Sequence, residues 1–361
     1  SLVDFNRAGT PLMEMVTKPV IHDAQTAKQF CQLFQQILRY LRISDANMEK
    51  GEMRCEVNIS LQKKKQWQYD KNLEILPVGD YQLNPKVELK NLNSFKAVEK
   101  AIEYEIIRQT KALKNGEALI QETRGWDENK KQTVKQRVKE TSADYRYFPE
   151  PDIPPLNISE EWLDEIRKDL IELPPTKLKR FVEQYELSEY DASILVSDKN
   201  LANYTEQVIS ELNAWIDATG DDWERQKRKL AKTAANWLIS ELFKHLNTDN
   251  KNIKDLHITP ENFAELITLV YQNKVNSTAA QQILHEMYKG GGDPSNIVEE
   301  LGLAQIDDEA ELEKIIKTII EENPDQSSKY KAGKTALLQF FIGKTMTATK
   351  GKANPKTVSK I

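Results

Sequence analysis

The stretch RCEVNIS, residues 54–60, alternates polar and apolar side chains over seven positions. In a β-strand, side chains two positions apart lie on the same face. The alternation therefore predicts a strand with its apolar side chains in a core and its polar side chains facing away from it. The polar face would carry Arg54, Glu56, Asn58 and Ser60.

A second stretch, KVELKNL at residues 86–92, alternates in the same way and places Glu88 and Lys90 on its polar face. If the two strands are neighbours, two carboxylates, a lysine, an arginine and an amide converge. Carboxylates suit a magnesium ion carried by a nucleotide, and basic side chains suit its phosphates. The same pattern is also typical of a half-exposed sheet face that holds only salt bridges.

Segments with helical periodicity lie before and after these strands, and such segments dominate the rest of the chain. Residues 24–43 and 94–116 repeat apolar residues at helical spacing, with Ser94 as an N-cap and Asn115-Gly116 as a stop. The proline-rich stretch DYRYFPEPDIPPL, residues 144–156, cannot be a helix and is expected to form a stiff, extended strap. Beyond it we find helices only, including one that Thr259 caps and Pro260 opens.

The predicted fold class is therefore α+β, with a sheet-containing domain followed by an all-α helical domain and a small all-α tail domain. We predict boundaries at residues 1–156, 157–256 and 257–361. Residues 63–85, between the two strands, are expected to form a polar loop or a hairpin.

Composition narrows the function. Two cysteines and four histidines give neither a disulfide framework nor a zinc spacing, and no apolar run is long enough for a membrane helix. The net charge is −5, yet residues 329–361 hold eight lysines and no acid, which favours contact with a nucleic-acid backbone over a merely solvated terminal helix. The two GKT triplets lack the upstream glycine of a phosphate-binding loop.

Several long sequence segments resemble the motifs of one family, the B subunits of the aspartyl/glutamyl-tRNA(Asn/Gln) amidotransferases. The segments occur in the same order as in that family and cover nearly the whole chain. They are SLVDFNRAGTPLMEMVTKP, NMEKGEMRCEVNIS, VELKNLNSFKAVEKAIEYEIIRQ, QETRGWDE, DYRYFPEPDIPPL, NWLISEL and TATKGKANPK.

The resemblance implies a glutamine-hydrolysing aminoacyl-tRNA amidotransferase, a carbon–nitrogen ligase that works as a heterotrimer. Its B subunit uses ATP and Mg²⁺ to phosphorylate the side-chain carboxylate of Glu-tRNA(Gln) or Asp-tRNA(Asn). Ammonia from the partner amidase then displaces the phosphate, and a small third protein is the remaining member of the heterotrimer. The implied architecture is a cradle domain with the kinase site, a helical domain and a tail resembling the YqeY proteins.

The family motifs also imply roles for individual residues. Glu56 and Glu88 would hold the metal and, with Lys90, form the catalytic group; members commonly carry Asp at the position of Glu56. Nucleotide or substrate contacts would come from Arg54, Asn58 and Asn91, with Asn6, Arg7 and Glu14 as further candidates. The lysines expected to contact tRNA are Lys344, Lys350, Lys352 and Lys356.

The family's opening motifs, with a histidine and further glutamates, would precede Ser1, so we expect an N-terminally truncated chain that is inactive by itself. A cytoplasmic, bacterial location is expected, with an organellar one left open. The alternative function is a non-catalytic tRNA-binding scaffold within the same complex. Neither the preference for Glu-tRNA or Asp-tRNA nor an upstream zinc site can be read from this sequence.

Overall fold

A computed structural model describes residues 5–6, 9–138, 151–305, 309–349 and 352–361. It divides the chain into two compact units, residues 1–171 and 172–361. The first unit contains every strand of the described chain, and the second contains helices, as the α+β prediction requires. None of the helices in these ranges has the length and apolarity to cross a membrane. The domain boundaries given above remain a prediction.

The first unit combines a four-stranded sheet, a small hairpin and three helices. Its helices are α1 (Ala24–Tyr40), α2 (Phe95–Lys114) and α3 (Glu160–Asp169). Its strands are β1 (Cys55–Ile59), β2 (Trp67–Tyr69), β3 (Ile75–Pro77), β4 (Val87–Leu92), β5 (Glu122–Asp127) and β6 (Gln132–Val138).

The sheet has the order β1-β4-β5-β6, with β4 and β5 parallel and the other neighbours antiparallel. A parallel pair needs a long crossover, and α2 supplies it between β4 and β5. The side chain of Ser94 caps α2 by accepting a hydrogen bond from the backbone N–H of Ala97, and Gly116 follows the helix with φ +75°. Both predicted ends of α2 are confirmed.

One face of the sheet packs against α1 and α2 to form the core of this unit. Val87 and Leu89 of β4 are fully buried there, together with Val98 and Ala101 of α2. The thiols of Cys31 in α1 and Cys55 in β1 lie 3.6 Å apart, both half-buried and free, at the edge of the same core. On β1 and β4 the opposite face carries polar side chains, with Asn58 in register with Glu88, as the alternation predicts.

A buried ion-pair network joins α2 to β5 and β6 on the core side. Glu105 of α2 is fully buried and accepts hydrogen bonds from Arg108 at 2.9 Å and from Thr133 of β6. Arg124 of β5 lies 3.2 Å from the same carboxylate and donates to Glu122 at 2.8 Å. Charges are costly to bury unless they are paired and hydrogen-bonded, and this network meets both conditions.

The second unit is built of helices. They are α4 (Pro174–Tyr185), α5 (Glu189–Leu195), α6 (Lys199–Thr219), α7 (Trp223–Asn236), α8 (Phe243–Thr248), α9 (Pro260–Tyr271), α10 (Ser277–Gly290), α11 (Pro294–Leu301), α12 (Glu309–Glu322), α13 (Pro324–Lys331), α14 (Leu338–Ala348) and α15 (Pro355–Lys360).

The start of α9 follows the sequence prediction closely. The hydroxyl of Thr259 accepts a hydrogen bond from the N–H of Asn262, and Pro260 occupies the first turn. Ile258 and Phe263 on either side of the cap are both buried. A separate small core, formed by α12, α14 and α15 around Leu312, lies closer to the C-terminus.

Tyr204 of α6 fastens this helix to the segment that leads into α9. Its ring is buried, its hydroxyl donates to the carbonyl of Ile258 at 3.1 Å, and burial raises the pKa of Tyr204. We expect Tyr204→Phe to lower the free energy of unfolding by about 1 kcal/mol, because one buried hydrogen bond is lost while the packing stays. Urea titration of the purified protein measures the change.

Tyr190→Phe is the matched control, because Tyr190 is exposed. Equal unfolding midpoints for the two variants would show that the hydroxyl of Tyr204 contributes nothing to stability.

Candidate functional site

The two predicted strands are neighbours, and their polar side chains share the face of the sheet opposite α1 and α2. β1 and β4 run antiparallel with Asn58 opposite Glu88. The register shifts between Cys55 and Val57, so that Lys90 and Asn91 of β4 stand opposite the single residue Glu56 and the bulge is on β4. Bulges re-aim side chains, and this one lies where β1 meets the predicted metal site.

Lys90 brings the two predicted carboxylates together. Its Nζ atom lies 3.0 Å from Oε1 of Glu56 and 3.4 Å from Oε1 of Glu88. The side chain of Glu56 is 51% exposed, whereas that of Glu88 is 13% exposed. The pair therefore has one fixed, mostly buried carboxylate in the sheet and one accessible carboxylate at its edge.

The charges of this group reinforce one another. The hydrogen bond to Glu56 raises the pKa of Lys90, partial burial opposes the shift, and the negative charges of Glu56 and Glu88 add to the increase. Lys90 is therefore a permanent cation at neutral pH. A cation held by two carboxylate oxygens shows that this face accepts positive charge between Glu56 and Glu88.

Thr123 is part of the same group, although the sequence reasoning did not single it out. It stands in register with Glu88 on the parallel neighbour β5, and its hydroxyl donates to Oε2 of Glu88 at 2.9 Å. Thr123 is 1% exposed. Alternation within QETRGWDE could have placed Thr123 and Gly125 on one face, but only the pairing of β4 with β5 shows which residue they face.

Gly125 on β5 lies beside Lys90 and is covered by a side chain of β6. It stands in register with Lys90, and a Cβ atom there would lie 2.3 Å from Nε2 of Gln136. The side chain of Gln136 on β6 thus lies across the glycine. A larger residue here would have to displace the end of the Gln136 side chain.

The other predicted contact residues have mixed surroundings. Arg54 is exposed just before β1, and Asn58 is exposed in the middle of that strand. Asn91 has φ +64°, and its side-chain nitrogen donates to the carbonyl of Trp126 at 2.9 Å. The amide of Asn91 therefore ties the end of β4 to β5, and a nucleotide contact of Asn91 stays a prediction.

The remaining predicted positions are less informative. Asn6 and Glu14 are exposed and belong to no helix or strand. Arg7 falls outside the described residues, as do the aromatic residues of the predicted strap, Tyr145, Tyr147 and Phe148.

A dedicated metal cluster is not found in the part of the chain that the structure describes. Among those residues, no three His, Cys, Asp or Glu side chains form a group that could hold a metal. The metal-binding role of Glu56 and Glu88, whose carboxylates pair with Lys90, therefore stays a prediction.

The predicted tRNA-binding lysines lie at the C-terminal end of the second unit. Lys344 on α14 and Lys356 on α15 are exposed, and the ammonium of Lys344 lies 5.8 Å from the ring centre of Phe340. Lys352 is half-buried, with Nζ next to Gly302 at the end of α11, where the helix dipole favours a cation. Lys350 falls outside the described residues.

Comparison with known proteins gives a consistent result for both ends of the chain. Residues 1–164 match the family model described as the GatB/GatE catalytic domain, and residues 223–361 match the model described as the GatB domain. Both ends of the chain therefore match domains of the GatB type.

The curated relatives are equally consistent. The aspartyl/glutamyl-tRNA(Asn/Gln) amidotransferase subunits B of Persephonella marina, Crocosphaera subtropica and Thermotoga neapolitana are 43%, 42% and 42% identical to this chain over all of its 361 residues. The alignments cover 70%, 67% and 69% of those relatives. The chain belongs to the family of aspartyl/glutamyl-tRNA(Asn/Gln) amidotransferase B subunits, as the motifs predicted.

Proposed function

We propose that this chain carries the kinase and transamidation site of a tRNA-dependent amidotransferase. ATP phosphorylates the side-chain carboxylate of Glu-tRNA(Gln) or Asp-tRNA(Asn), and ammonia then displaces the phosphate to give Gln-tRNA(Gln) or Asn-tRNA(Asn). The observation that carries the proposal is the pair Glu56 and Glu88, held by one ammonium group on the polar face of the sheet.

The chemistry explains why such a face is needed. A carboxylate is a poor electrophile, and its oxygen is a poor leaving group, so ammonia cannot convert it to an amide directly. An acyl phosphate overcomes both problems because phosphate leaves readily. Phosphoryl transfer depends mainly on positioning and on neutralising the charge of the phosphate oxygens, and this face provides anchored groups of both signs.

The carboxylates fit Mg²⁺ by their chemistry. Magnesium prefers oxygen ligands and is typically bound by one or two carboxylates together with water and substrate phosphates. Glu56 and Glu88 would supply the two carboxylates, and both already lie within ion-pair distance of a cation, the ammonium of Lys90. When bound, the metal would neutralise phosphate charge during transfer.

Lys90 contributes a second positive charge next to the carboxylates. Its raised pKa keeps the ammonium protonated, so it can pair with phosphate oxygens of the nucleotide or of the acyl phosphate. Its four-carbon side chain allows the charge to move between the carboxylates and a substrate without displacing β4. Asn58, exposed and opposite Glu88, offers an amide to the same space.

The proposed partners are the amidase that releases ammonia from glutamine, the small third protein of the heterotrimer, and the misacylated tRNA. A cytoplasmic location belongs to the same proposal, because the aminoacylated tRNA substrates are made where translation takes place.

The test of the function uses the amidotransferase assembled from this protein, the partner amidase and the small third protein. Glu-tRNA(Gln) and Asp-tRNA(Asn) are offered separately, with glutamine and with or without ATP and Mg²⁺. We expect amide formation on at least one tRNA, with ADP released in step with product. Amide formation that needs no ATP would exclude the proposed phosphorylation.

The C-terminal lysines supply a separate prediction about tRNA. Replacing Lys344, Lys352 and Lys356 together with Gln should weaken tRNA binding and flatten the slope of log K against log salt by roughly two to three units, because each lost phosphate contact removes close to one unit. The apparent KM for tRNA should rise more than kcat falls. Binding titrations of the assembled enzyme at several salt concentrations measure the slope.

Lys317→Gln is the matched control in the same part of the chain, since Glu313 already pairs with Lys317 at 2.8 Å. We expect the wild-type slope for this variant. An unchanged slope for the triple variant would mean that these lysines do not contact the phosphates of tRNA. Substitution is preferable to deleting residues 257–361, because the hydroxyl of Tyr204 binds the carbonyl of Ile258 and deletion would expose the core around α6.

A further inference from the structure

The two oxygens of Glu88 have different surroundings. Oε1 is 3.4 Å from the ammonium of Lys90, on the side of Glu56. Oε2 accepts the hydroxyl of Thr123 at 2.9 Å, on the side of β5. One oxygen therefore faces the space in which we place the metal, and the other is held by the neighbouring strand.

This division matters because the last torsion of a glutamate side chain is intrinsically broad. Without an anchor, the carboxylate plane of Glu88 rotates, and its metal-facing oxygen does not keep one position. A buried threonine is a rigid anchor, since its branched side chain is restricted about χ1 and its strand is fixed in the sheet. Thr123 is 1% exposed and stands directly beside Glu88 in the parallel ladder.

We propose that Thr123 is a positioning residue for the phosphorylation reaction: its hydroxyl fixes Glu88 so that Oε1 faces the metal and the nucleotide phosphates. This inference rests on the proposed function. Thr123 touches neither substrate nor metal in this role and acts only through Glu88. In metalloenzymes, removing a hydrogen-bonded partner of a metal ligand commonly lowers metal affinity or activity by about 10- to 100-fold.

The experiment measures the affinity of the assembled amidotransferase for Mn²⁺ by electron paramagnetic resonance, with Mn²⁺ as the probe for Mg²⁺. Thr123→Val keeps the shape of the side chain and removes the hydroxyl. We expect Mn²⁺ binding to weaken about 10- to 100-fold. Thr123→Ser restores the hydroxyl, and we expect it to return affinity to within about threefold of the wild type, because serine offers the same donor with a less restricted χ1.

A kinetic readout accompanies the metal titration. The rate of ADP release at saturating misacylated tRNA should fall in Thr123→Val and recover in Thr123→Ser, while the KM for glutamine stays unchanged. A merely structural threonine would lower the unfolding temperature without this pattern. Thr268→Val is the matched control, because Thr268 is buried and its hydroxyl donates to a backbone carbonyl in α9.

Two outcomes overturn the proposal in distinguishable ways. Wild-type Mn²⁺ affinity in Thr123→Val, or equal weakening in Thr123→Val and Thr123→Ser, removes the positioning role and leaves the proposed function standing. Wild-type Mn²⁺ affinity in Glu88→Gln shows instead that the metal binds elsewhere. In that case the proposed function of the two carboxylates fails, and the role of Thr123 fails with it.

Discussion

Glu88→Gln should lower ATP-dependent phosphorylation of the misacylated tRNA about a thousandfold, which corresponds to about 4 kcal/mol of transition-state stabilisation. The variant keeps the size of the side chain and its place beside Thr123, but it removes the negative charge that would hold the metal. Glu88 is the less exposed of the two carboxylates, at 13% against 51% for Glu56, so solvent can replace it less readily. The measurement is ADP and acyl phosphate formation by the assembled enzyme in a single turnover.

Two controls separate this effect from general damage. The glutaminase activity of the partner amidase should be far less affected, because glutamine hydrolysis occurs at a different site. Glu103→Gln removes a carboxylate from α2 that is paired with Lys100 at 2.7 Å and about half-exposed, and it should leave phosphorylation unchanged. Full transamidation by Glu88→Gln would favour the scaffold function, in which the chain binds tRNA and the chemistry resides elsewhere.

Glu105→Gln should lower the free energy of unfolding of the first unit by about 3–5 kcal/mol, because it removes one buried carboxylate and leaves Arg108 and Arg124 to share that of Glu122. The carboxylate of Glu105 is fully buried and is shared by Arg108, Arg124 and Thr133. Its burial keeps water from replacing the lost charge. Chemical denaturation followed by tryptophan fluorescence measures the effect, since Trp126 lies in the core of this unit.

The pH dependence of this contribution has a definite sign. Burial alone would raise the pKa of Glu105, but the hydrogen bonds from Arg108, Thr133 and Gln109 outweigh it, so the pKa lies below the ordinary value of 4.5. Protons therefore bind the unfolded chain more readily than the folded one in this range, and the stabilisation is complete above pH 4.5. It is lost as the pH falls through the lowered pKa of the folded state.

The difference in stability between wild type and Glu105→Gln should accordingly be constant near neutral pH and shrink in acid. Glu103→Gln, on the exposed side of the same helix, should unfold like the wild type across this range. A pH-independent difference for Glu105→Gln would mean that its carboxylate does not lose its stabilising charge in acid.

Much of the local structure could be predicted because it depends on neighbours in sequence. The alternation of RCEVNIS and KVELKNL corresponds to β1 and β4, and the capping residues Ser94 and Thr259 begin α2 and α9 as expected. A hairpin formed by β2 and β3 occupies the predicted polar loop or hairpin between the two strands. In each case a hydrogen bond or a side-chain period within a few residues is sufficient.

The segment NWLISEL, residues 236–242, shows that apolar periodicity alone does not identify the type of helix. Apolar spacing predicts one continuous α-helix through this segment, but Trp237–Leu242 form a π-helical segment between α7 and α8. A π-helical turn closes with i→i+5 hydrogen bonds, so it changes which side chains share a face of the helix. The pattern of apolar and polar residue types in the sequence does not reveal this change. Trp237, Leu238 and Leu242 of this segment are all buried.

The sequence alone determined the α+β class, the strand faces that carry Glu56 on one strand and Glu88 with Lys90 on the other, and, through its long motifs, the family. The pairing that brings those two strands together came from the tertiary structure. Only the tertiary structure decided that Thr123 stands beside Glu88 and that Glu105 joins Arg108 to Arg124. The physical reason is the crossover by α2. Its 20 residues separate β4 from β5 in sequence, and the packing of its buried face on the sheet fixes the register in which the two strands pair. Register is a long-range property, because one residue of slip would exchange the two faces of β5 and turn Thr123 toward the core.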